Sequence, residues 1–184
     1  MQKLYRLKTK RIVLTGGPGT GKTTLINELE KRGYTCLHEV SRDVIKKAQE
    51  EGVEQLFLTN PVLFSQRLLD GRLQQFKEAE IHKEKCLFYD RGLPDVTAYM
   101  DYFETVYSET FTKTCTENKY DTIFLLPPWK KIYKQDNERY ESFKEAEKIH
   151  ESLLKGYQDY GYTVQIVPTG SVEERITYIL DNLK

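Results

Sequence analysis

One short segment of the sequence restricts the possible folds more than any other feature. It follows the pattern G-x-x-x-x-G-K-[ST] and consists of Gly16, Gly17, Pro18, Gly19, Thr20, Gly21, Lys22 and Thr23. The glycines let backbone N–H groups turn inward around a β-phosphate, an approach that a Cβ would block. The lysine places a positive charge against the β- and γ-oxygens, and the last hydroxyl can bind Mg²⁺. The segment predicts a nucleotide-binding loop, and we include the next residue, Thr24, in it.

The sequence on either side of this segment supports the same interpretation. Residues 11–14 form a short β-branched run before it, and residues 25–29 have helical apolar spacing after it. A strand, a glycine-rich loop and a helix N-terminus together make an anion-binding site. The alternative, a glycine-rich turn that contains a lysine by chance, leaves this context unexplained.

Composition excludes several classes of protein. The 184 residues include 28 Lys and Arg and 28 Asp and Glu, so no overall basic field favours nucleic acid. We expect one domain, residues 1–184, with no membrane span and no secretion signal. The three cysteines lack C-x-x-C spacing, which predicts reduced thiols and a cytoplasmic protein.

Strand-like apolar runs alternate with helical segments along the chain. The predicted strands are residues 11–14, 35–38, 86–89, 122–126 and 163–167. Strands that alternate with helices predict a parallel sheet with helices on both faces. The predicted fold class is therefore α/β, a three-layer P-loop NTPase with five parallel strands, in which the first strand lies beside the third.

Local signals mark several helix ends. Asn60 and Pro61 have the residue types of an N-cap and a first helical position. The apolar stripe predicted for the helix that follows comprises Val62, Leu69, Leu73 and Phe76. Gly33 and Gly161 have the context of left-handed helix ends, and residues 171–174 form a capping box.

Charged residues follow the second and third predicted strands. Glu39 and Arg42 come after the second, and Asp90 and Arg91 come after the third. Ligands bind at the carboxyl edge of such sheets, and P-loop proteins hold Mg²⁺ with an aspartate that follows an apolar strand. We therefore predict that Thr23 and Asp90 bind the metal. The alternative for each of these residues is a solvated turn.

These motifs resemble one family along nearly the whole chain. Besides the loop and Glu39, the matching segments are residues 90–95, 127–129, 136–139, 167–168 and 171–175. They resemble the AAA-type P-loop domain of the NadR ribosylnicotinamide-kinase-like group. The resemblance implies nucleoside- or nucleotide-kinase-like topology, ATP as phosphoryl donor and a short lid at about residues 127–142.

The resemblance also implies roles for individual residues. Glu39 would accept the proton of the substrate hydroxyl, while Arg42 and Arg91 would bind the substrate. The catalytic residues expected on this basis are Lys22, Glu39, Asp90 and Arg139. Phosphoryl transfer requires such parts, because it depends on in-line positioning and on cations beside the developing oxygen charge.

The resemblance implies further roles in the lid and in the binding of the adenine ring. Lys130, Lys134 and Arg139 would close over the phosphates, and Pro168 would lie against the adenine. A solvated helix start is the alternative for the lid residues, and an ordinary strand-to-helix turn is the alternative for Pro168.

Two other patterns resemble ligand sites without supporting one. Residues 118–121 spell the guanine-reading element N-K-x-D, but they precede the fourth predicted strand and so lie at the opposite edge of the sheet. We therefore expect ATP to be preferred over GTP. Tyr157, Tyr160 and Tyr162 cluster near a helix end, where packing with solvated hydroxyls explains them.

The sequence leaves two functions open. The first is a kinase that transfers the ATP γ-phosphoryl group, with Mg²⁺, to a small hydroxyl acceptor such as a nucleoside. The second is an ATPase or nucleotide-dependent switch that acts on a protein or lipid partner. The acceptor and the oligomeric state are not identified by the sequence.

Overall fold

The computed structural model describes residues 9–132 and 142–183. Its centre is one sheet of five parallel strands in the order β2-β3-β1-β4-β5. The strands are β1 Lys10–Thr15, β2 Thr35–Leu37, β3 Cys86–Asp90, β4 Thr122–Leu125 and β5 Val164–Ile166. The predicted strands and the predicted pairing of the first strand with the third are confirmed.

Seven α-helices connect the strands within the described residues, and an eighth follows the last strand. They are α1 Lys22–Lys31, α2 Ser41–Glu50, α3 Leu56–Thr59, α4 Pro61–Glu78, α5 Leu93–Tyr102, α6 Glu109–Glu117, α7 Phe143–Asp159 and α8 Val172–Asp181. A short 3₁₀ helix, Ala79–Ile81, follows α4. No helix in the described part of the chain is both long enough and apolar enough to cross a membrane.

Alternation along β1 produces the two sides of the core. Ile12 and Leu14 point to one face and pack with buried residues of α1 and α8. Val13 points to the other face and packs with residues of α4, α5, α6 and α7. All three side chains are fully buried. The sheet is therefore covered on both faces, which confirms the predicted three-layer arrangement.

The predicted helix ends are also confirmed, but one residue of the apolar stripe predicted for α4 is exposed. Asn60 Oδ1 accepts a hydrogen bond from Leu63 N at 3.0 Å, as an N-cap should. Gly33 and Gly161 have φ values of +85° and +79°. The prediction for Val62 was wrong: its side chain is 42% exposed, because the first turn of α4 extends beyond the core that buries Leu69 and Phe76.

Candidate functional site

The glycine-rich loop joins the end of β1 to the start of α1. Gly21 is the N-cap of α1 and has a φ of 80°, which favours glycine. A Cβ on Gly21 would also lie 2.9 Å from Nη1 of Arg175. The Thr20 hydroxyl donates to the Gly17 carbonyl at 2.9 Å, so this side chain closes the loop on itself. The loop thus places the free N–H groups of a helix N-terminus beside the sheet edge.

Lys22 and Asp90 form an ion pair at this edge. Asp90 lies opposite Leu14 in the β1–β3 register, one residue before β1 ends. Burial, followed by the nearby charge of Arg91, lowers the pKa of Lys22, although Asp90 opposes the shift. The predicted proximity of Lys22 and Asp90 is present, and each neutralises the other.

The residues available for a metal fit Mg²⁺ bound together with a nucleotide. In residues 9–132 and 142–183, no group of three or more His, Cys, Asp or Glu side chains could hold a metal alone. Mg²⁺ at nucleotide sites needs fewer protein ligands, because phosphates and waters complete its octahedron. Thr23 and Thr24 are exposed on the first turn of α1, and their hydroxyls have no described hydrogen-bond partner.

Glu39 is held between two arginines. Its Oε1 accepts a hydrogen bond from Arg72 Nη2 at 2.9 Å, and its Oε2 forms an ion pair with Arg91, whose Nε lies 2.5 Å away. Burial alone raises the pKa of Glu39, but the charges of Arg72, Arg91 and Lys22 outweigh it and lower the value to about 2. Glu39 is therefore ionised throughout the neutral range.

Arg91 adopts a conformation that is unusual for an arginine. Its φ is 73°, in the left-handed region where a side chain is strained. Besides Glu39, its guanidinium contacts Asp95 Oδ1 at 3.3 Å and lies 5.4 Å from the ring centroid of Tyr99. These contacts compensate the strain and fix the side chain between β3 and α5.

Asp95 connects Arg91 to the rest of the site. This fully buried carboxylate accepts from the Thr15 hydroxyl at 2.5 Å, from Gly92 N at 2.8 Å and from the Tyr157 hydroxyl at 2.5 Å. Thr15 is the last residue before the glycine-rich loop. Asp95 therefore joins the end of β1, the start of α5 and α7 in one network.

This network corrects the interpretation of the tyrosines. Each of their hydroxyls is hydrogen-bonded within the protein, although Tyr160 and Tyr162 are only half-buried. Tyr157 is fully buried and donates to Asp95, Tyr160 donates to Thr97 at 3.2 Å, and Tyr162 accepts from Tyr120 N at 3.2 Å. Tyr157 and Asp95 are 62 positions apart in the sequence, so no local pattern indicates the hydrogen bond between them.

Sequence reasoning missed Arg72, and it gave Arg175 no role. Arg72 is 4% exposed on α4, in the middle of a pattern that otherwise indicates only a packed amphipathic helix. Arg175, also 4% exposed, donates from Nη2 to the Thr20 carbonyl at 2.9 Å. Through this bond α8 is tied to the glycine-rich loop. A charged residue at a core position of a helix was the available signal for Arg72.

The remaining predicted residues lie around this centre or outside the described residues. Arg42 is exposed on the first turn of α2, without an ion pair in the described part of the chain. Lys130 Nζ lies 5.2 Å from the Phe143 ring centroid. Pro168 is exposed between β5 and α8. The predicted lid residues Lys134 and Arg139 fall in 133–141, outside the described residues.

The guanine-like element lies at the opposite edge, as expected. Asp121 Oδ2 accepts from Arg11 N at 2.7 Å, at the start of β1 and not at its end. A cleft of about 370 Å³ opens there between Lys119 and the tyrosines at 160 and 162. Lys119 donates to the Tyr160 carbonyl and lies 4.7 Å from the Tyr162 ring centroid. These internal contacts account for the charge of Lys119 at the cleft.

Comparison with solved structures identifies the fold. The NadR protein, solved in complex with NR, superposes with a TM-score of 0.71 at 19% identity, over 96% of this chain and 50% of the NadR chain. Deoxyadenosine kinase from M. mycoides, solved with bound dCTP, superposes with a TM-score of 0.64 at 17% identity, over 94% of this chain and 98% of the kinase. At these identities the likeness establishes the fold, and this chain spans half of the NadR chain.

The sequence itself assigns the family. No curated protein matches it. The family model described as AAA domain matches residues 11–175 and so takes in the glycine-rich loop, Glu39, Asp90, Arg91 and Arg175. A match over most of the chain shows that this protein belongs to the AAA domain family.

Proposed function

We propose that this protein is a kinase that transfers the γ-phosphoryl group of ATP to a hydroxyl group of a small, nucleoside-like acceptor. The observation that carries the proposal is Glu39, an ionised carboxylate held by Arg72 and Arg91 beside the Lys22–Asp90 pair. A nucleotide-binding loop alone serves many reactions. A fixed carboxylate at the same sheet edge adds a group that can orient a hydroxyl.

The charges of the site favour an uncharged acceptor. Three cations of the site, the buried Arg72 and the half-buried Lys22 and Arg91, each pair with a carboxylate, and these carboxylates are Asp90, Glu39 and Asp95. An acceptor with its own phosphate would require an unpaired cation next to Glu39, because a buried unpaired charge is strongly unfavourable, and Arg42, which has no ion pair among the described residues, is exposed on α2. A neutral nucleoside needs only hydrogen bonds.

On the donor side, we propose that binding of the nucleotide replaces the Lys22–Asp90 ion pair. Lys22 would turn to the β- and γ-phosphates, which receive the backbone N–H groups of the loop as well. Asp90 and Thr23 would then hold Mg²⁺, which when bound supplies positive charge to the phosphate oxygens. The residues of the loop thus bind the donor and hold it in line with Glu39.

Glu39 would orient the acceptor hydroxyl and receive its proton only as the new O–P bond forms, when the hydroxyl becomes strongly acidic. A carboxylate with a pKa of about 2 is a weak base. Such a group suffices because phosphoryl transfer has a loose transition state, in which positioning and electrostatic stabilisation dominate catalysis. Arg91, displaced from Oε2 by the hydroxyl, would remain close enough to stabilise charge on the transferred group.

Other predictions complete the proposal. We propose that the chain functions as one domain and that Arg139, Lys134 and Lys130 close over the phosphates. Pro168 would lie against the adenine, and Arg42 would contact the acceptor. The three cysteines are free, which suits the reducing conditions of the cytoplasm.

The likeness to NadR and deoxyadenosine kinase supports the choice of acceptors to test. ATP consumption should be slow alone and should rise when ribosylnicotinamide or deoxyadenosine is added, with a phosphorylated product that mass spectrometry detects. The same assay distinguishes the kinase from the alternative, an ATPase or nucleotide-dependent switch. If ATP is hydrolysed at a rate that no compound in a nucleoside panel changes, the protein is an ATPase or switch and not a kinase.

A further inference from the structure

The two carboxylate oxygens of Glu39 have different surroundings. Oε1 accepts from Arg72 Nη2 at 2.9 Å and from the backbone N–H of Ser41 at 3.3 Å. Oε2 is paired with Arg91 Nε at 2.5 Å, and no hydrogen-bond donor to Oε2 is found in the described residues. One oxygen is therefore tied to two elements, α4 and the start of α2, while the other has a single partner.

The two arginines differ as well. Arg72 is 4% exposed, and its Nη1 donates to the Gly92 carbonyl at 3.1 Å. It thus links α4 to Glu39 and to the turn that follows Arg91. The Arg91 side chain is more accessible, at 15% exposed. Arg72 is part of the packed interior, whereas Arg91 lies at the surface of the site.

Building on the proposed function, we infer that Arg72 is a positioning residue for the acceptor: it fixes Oε1 of Glu39 and the Gly92 carbonyl, and so leaves Oε2 as the oxygen that receives the acceptor hydroxyl. The hydroxyl takes the place of the ion-pair contact between Oε2 and Arg91. Because Arg72 keeps Glu39 in place during this exchange, the carboxylate does not have to be repositioned in each turnover.

The position of Arg72 also affects the pKa of Glu39. The groups that act on Glu39 are Arg72 from α4, Arg91 from the β3–α5 turn and Lys22 from α1, all of which lower its pKa against the effect of burial. Arg72 has the largest lowering effect of the three. Without Arg72, burial would be opposed only by Arg91 and Lys22, so the pKa of Glu39 should lie above its wild-type value, and protonation at acidic pH would remove the acceptor for the hydroxyl.

The test compares Arg72→Met and Arg72→Lys with a control from the same helix. Arg67, on the same helix, forms an ion pair with Glu51 at 2.6 Å outside the site. Arg67→Met is therefore the same substitution in an ion pair that does not involve Glu39. Transfer to deoxyadenosine or ribosylnicotinamide would be followed from pH 4.5 to 8, with KM for acceptor and ATP measured separately. Circular dichroism confirms that each variant is folded.

We expect Arg72→Met to lower kcat/KM for the acceptor about tenfold to a hundredfold, the value of a hydrogen bond between charged groups. Its rate should also fall on the acid side of a pH range where the wild type is flat. KM for ATP should change less than about twofold, since the hydrogen bonds of Arg72 lie on the acceptor side. Arg72→Lys keeps the charge and should restore the flat profile, while Arg67→Met should behave as the wild type.

A folded Arg72→Met variant with wild-type kcat/KM and a flat pH profile would overturn the inference. If the wild type transfers the phosphoryl group to no acceptor, the proposed function fails. In that case the role of Arg72 is tested separately, by measuring the pKa of Glu39. Carboxyl ¹³C NMR, with the Glu39 signal assigned by its loss in Glu39→Gln, should show a higher pKa in Arg72→Met. An unchanged pKa there would refute the role of Arg72 whatever the reaction is. If Arg72→Met does not fold, Arg72→Gln, which is polar but uncharged, replaces it, and an unchanged acceptor kcat/KM and pH profile in that variant contradict the inference.

Discussion

The donor and acceptor halves of the site are built in opposite ways. The donor half is one continuous segment, residues 16–24, which offers backbone N–H groups and a single pivotal side chain, Lys22. The acceptor half consists of side chains from separate elements: Glu39 after β2, Arg72 from α4, Arg91 after β3 and Asp95 from α5. A backbone site depends on local conformation, whereas the acceptor half depends on buried charges that neutralise one another.

This difference predicts where substitutions act. A change in the donor half should weaken the binding of one ligand, the nucleotide, and leave the fold intact. A change in the acceptor half should affect both reaction and stability, because each charge removed leaves another buried charge without its partner.

Glu39→Gln tests the acceptor half most severely. Loss of the charged acceptor should lower phosphoryl transfer about 10²–10⁴-fold, while ATP affinity stays close to the wild type. The variant should also unfold at a lower temperature, because Arg72 and Arg91 lose their common partner. Steady-state kinetics, calorimetry and thermal unfolding measure the three effects.

The control for Glu39→Gln is Glu51→Gln, which breaks the surface pair with Arg67. This variant should keep both activity and stability, because exposed pairs contribute little. Equal behaviour of the two variants would mean that the acceptor half has no special dependence on its buried charges.

Lys22→Ala tests the donor half. It removes the charge contact to the phosphates and should weaken ATP binding by about 1.5–3 kcal/mol, which is roughly tenfold to a hundredfold in Kd. Calorimetry on the folded variant measures this, with Lys31→Ala at the exposed end of α1 as the control. ATP affinity equal to that of the wild type would disprove the assignment of the nucleotide-binding loop.

Asp95→Asn should reveal how strongly the two halves are joined. The amide places a donor where the carboxylate now accepts from Thr15, Gly92 N and Tyr157. An unsatisfied buried group of this kind lowers the free energy of unfolding by about 1–3 kcal/mol. Urea unfolding would measure it against Asp101→Asn, an exposed position on the same helix. Equal losses in the two variants would rule out a special role for Asp95.

The pH dependence of stability gives a finer test of the acceptor half. Folding lowers the pKa of Glu39 from 4.5 to about 2. A carboxylate whose pKa falls on folding stabilises the protein above its unfolded-state pKa, and this stabilisation is lost as the pH falls from about 5 toward 2. The difference in urea midpoint between wild type and Glu39→Gln should therefore be constant from pH 8 to 6 and shrink below pH 5. A difference that is the same at pH 7 and pH 4 would contradict the lowered pKa.

The same contrast explains what could be predicted from the sequence. The five strands, the order of β1 and β3 and the glycine-rich loop follow from local patterns, and all are present. Asp90 and Glu39 were predicted because each directly follows a strand. Arg72 was not, since its partner Glu39 lies 33 positions away in the sequence and only the packing of α4 joins them. The buried bond between Tyr157 and Asp95, 62 positions apart, was missed for the same reason.

The most direct measurement offers the protein a nucleoside and its 5′-monophosphate at equal concentration, with ATP and Mg²⁺, and identifies the products by mass spectrometry. Because Lys22, Arg72 and Arg91 are already paired with carboxylates, the nucleoside should be phosphorylated and the monophosphate should remain unchanged. Conversion of the monophosphate to the diphosphate, with the nucleoside left unreacted, would contradict a charge-balanced acceptor site.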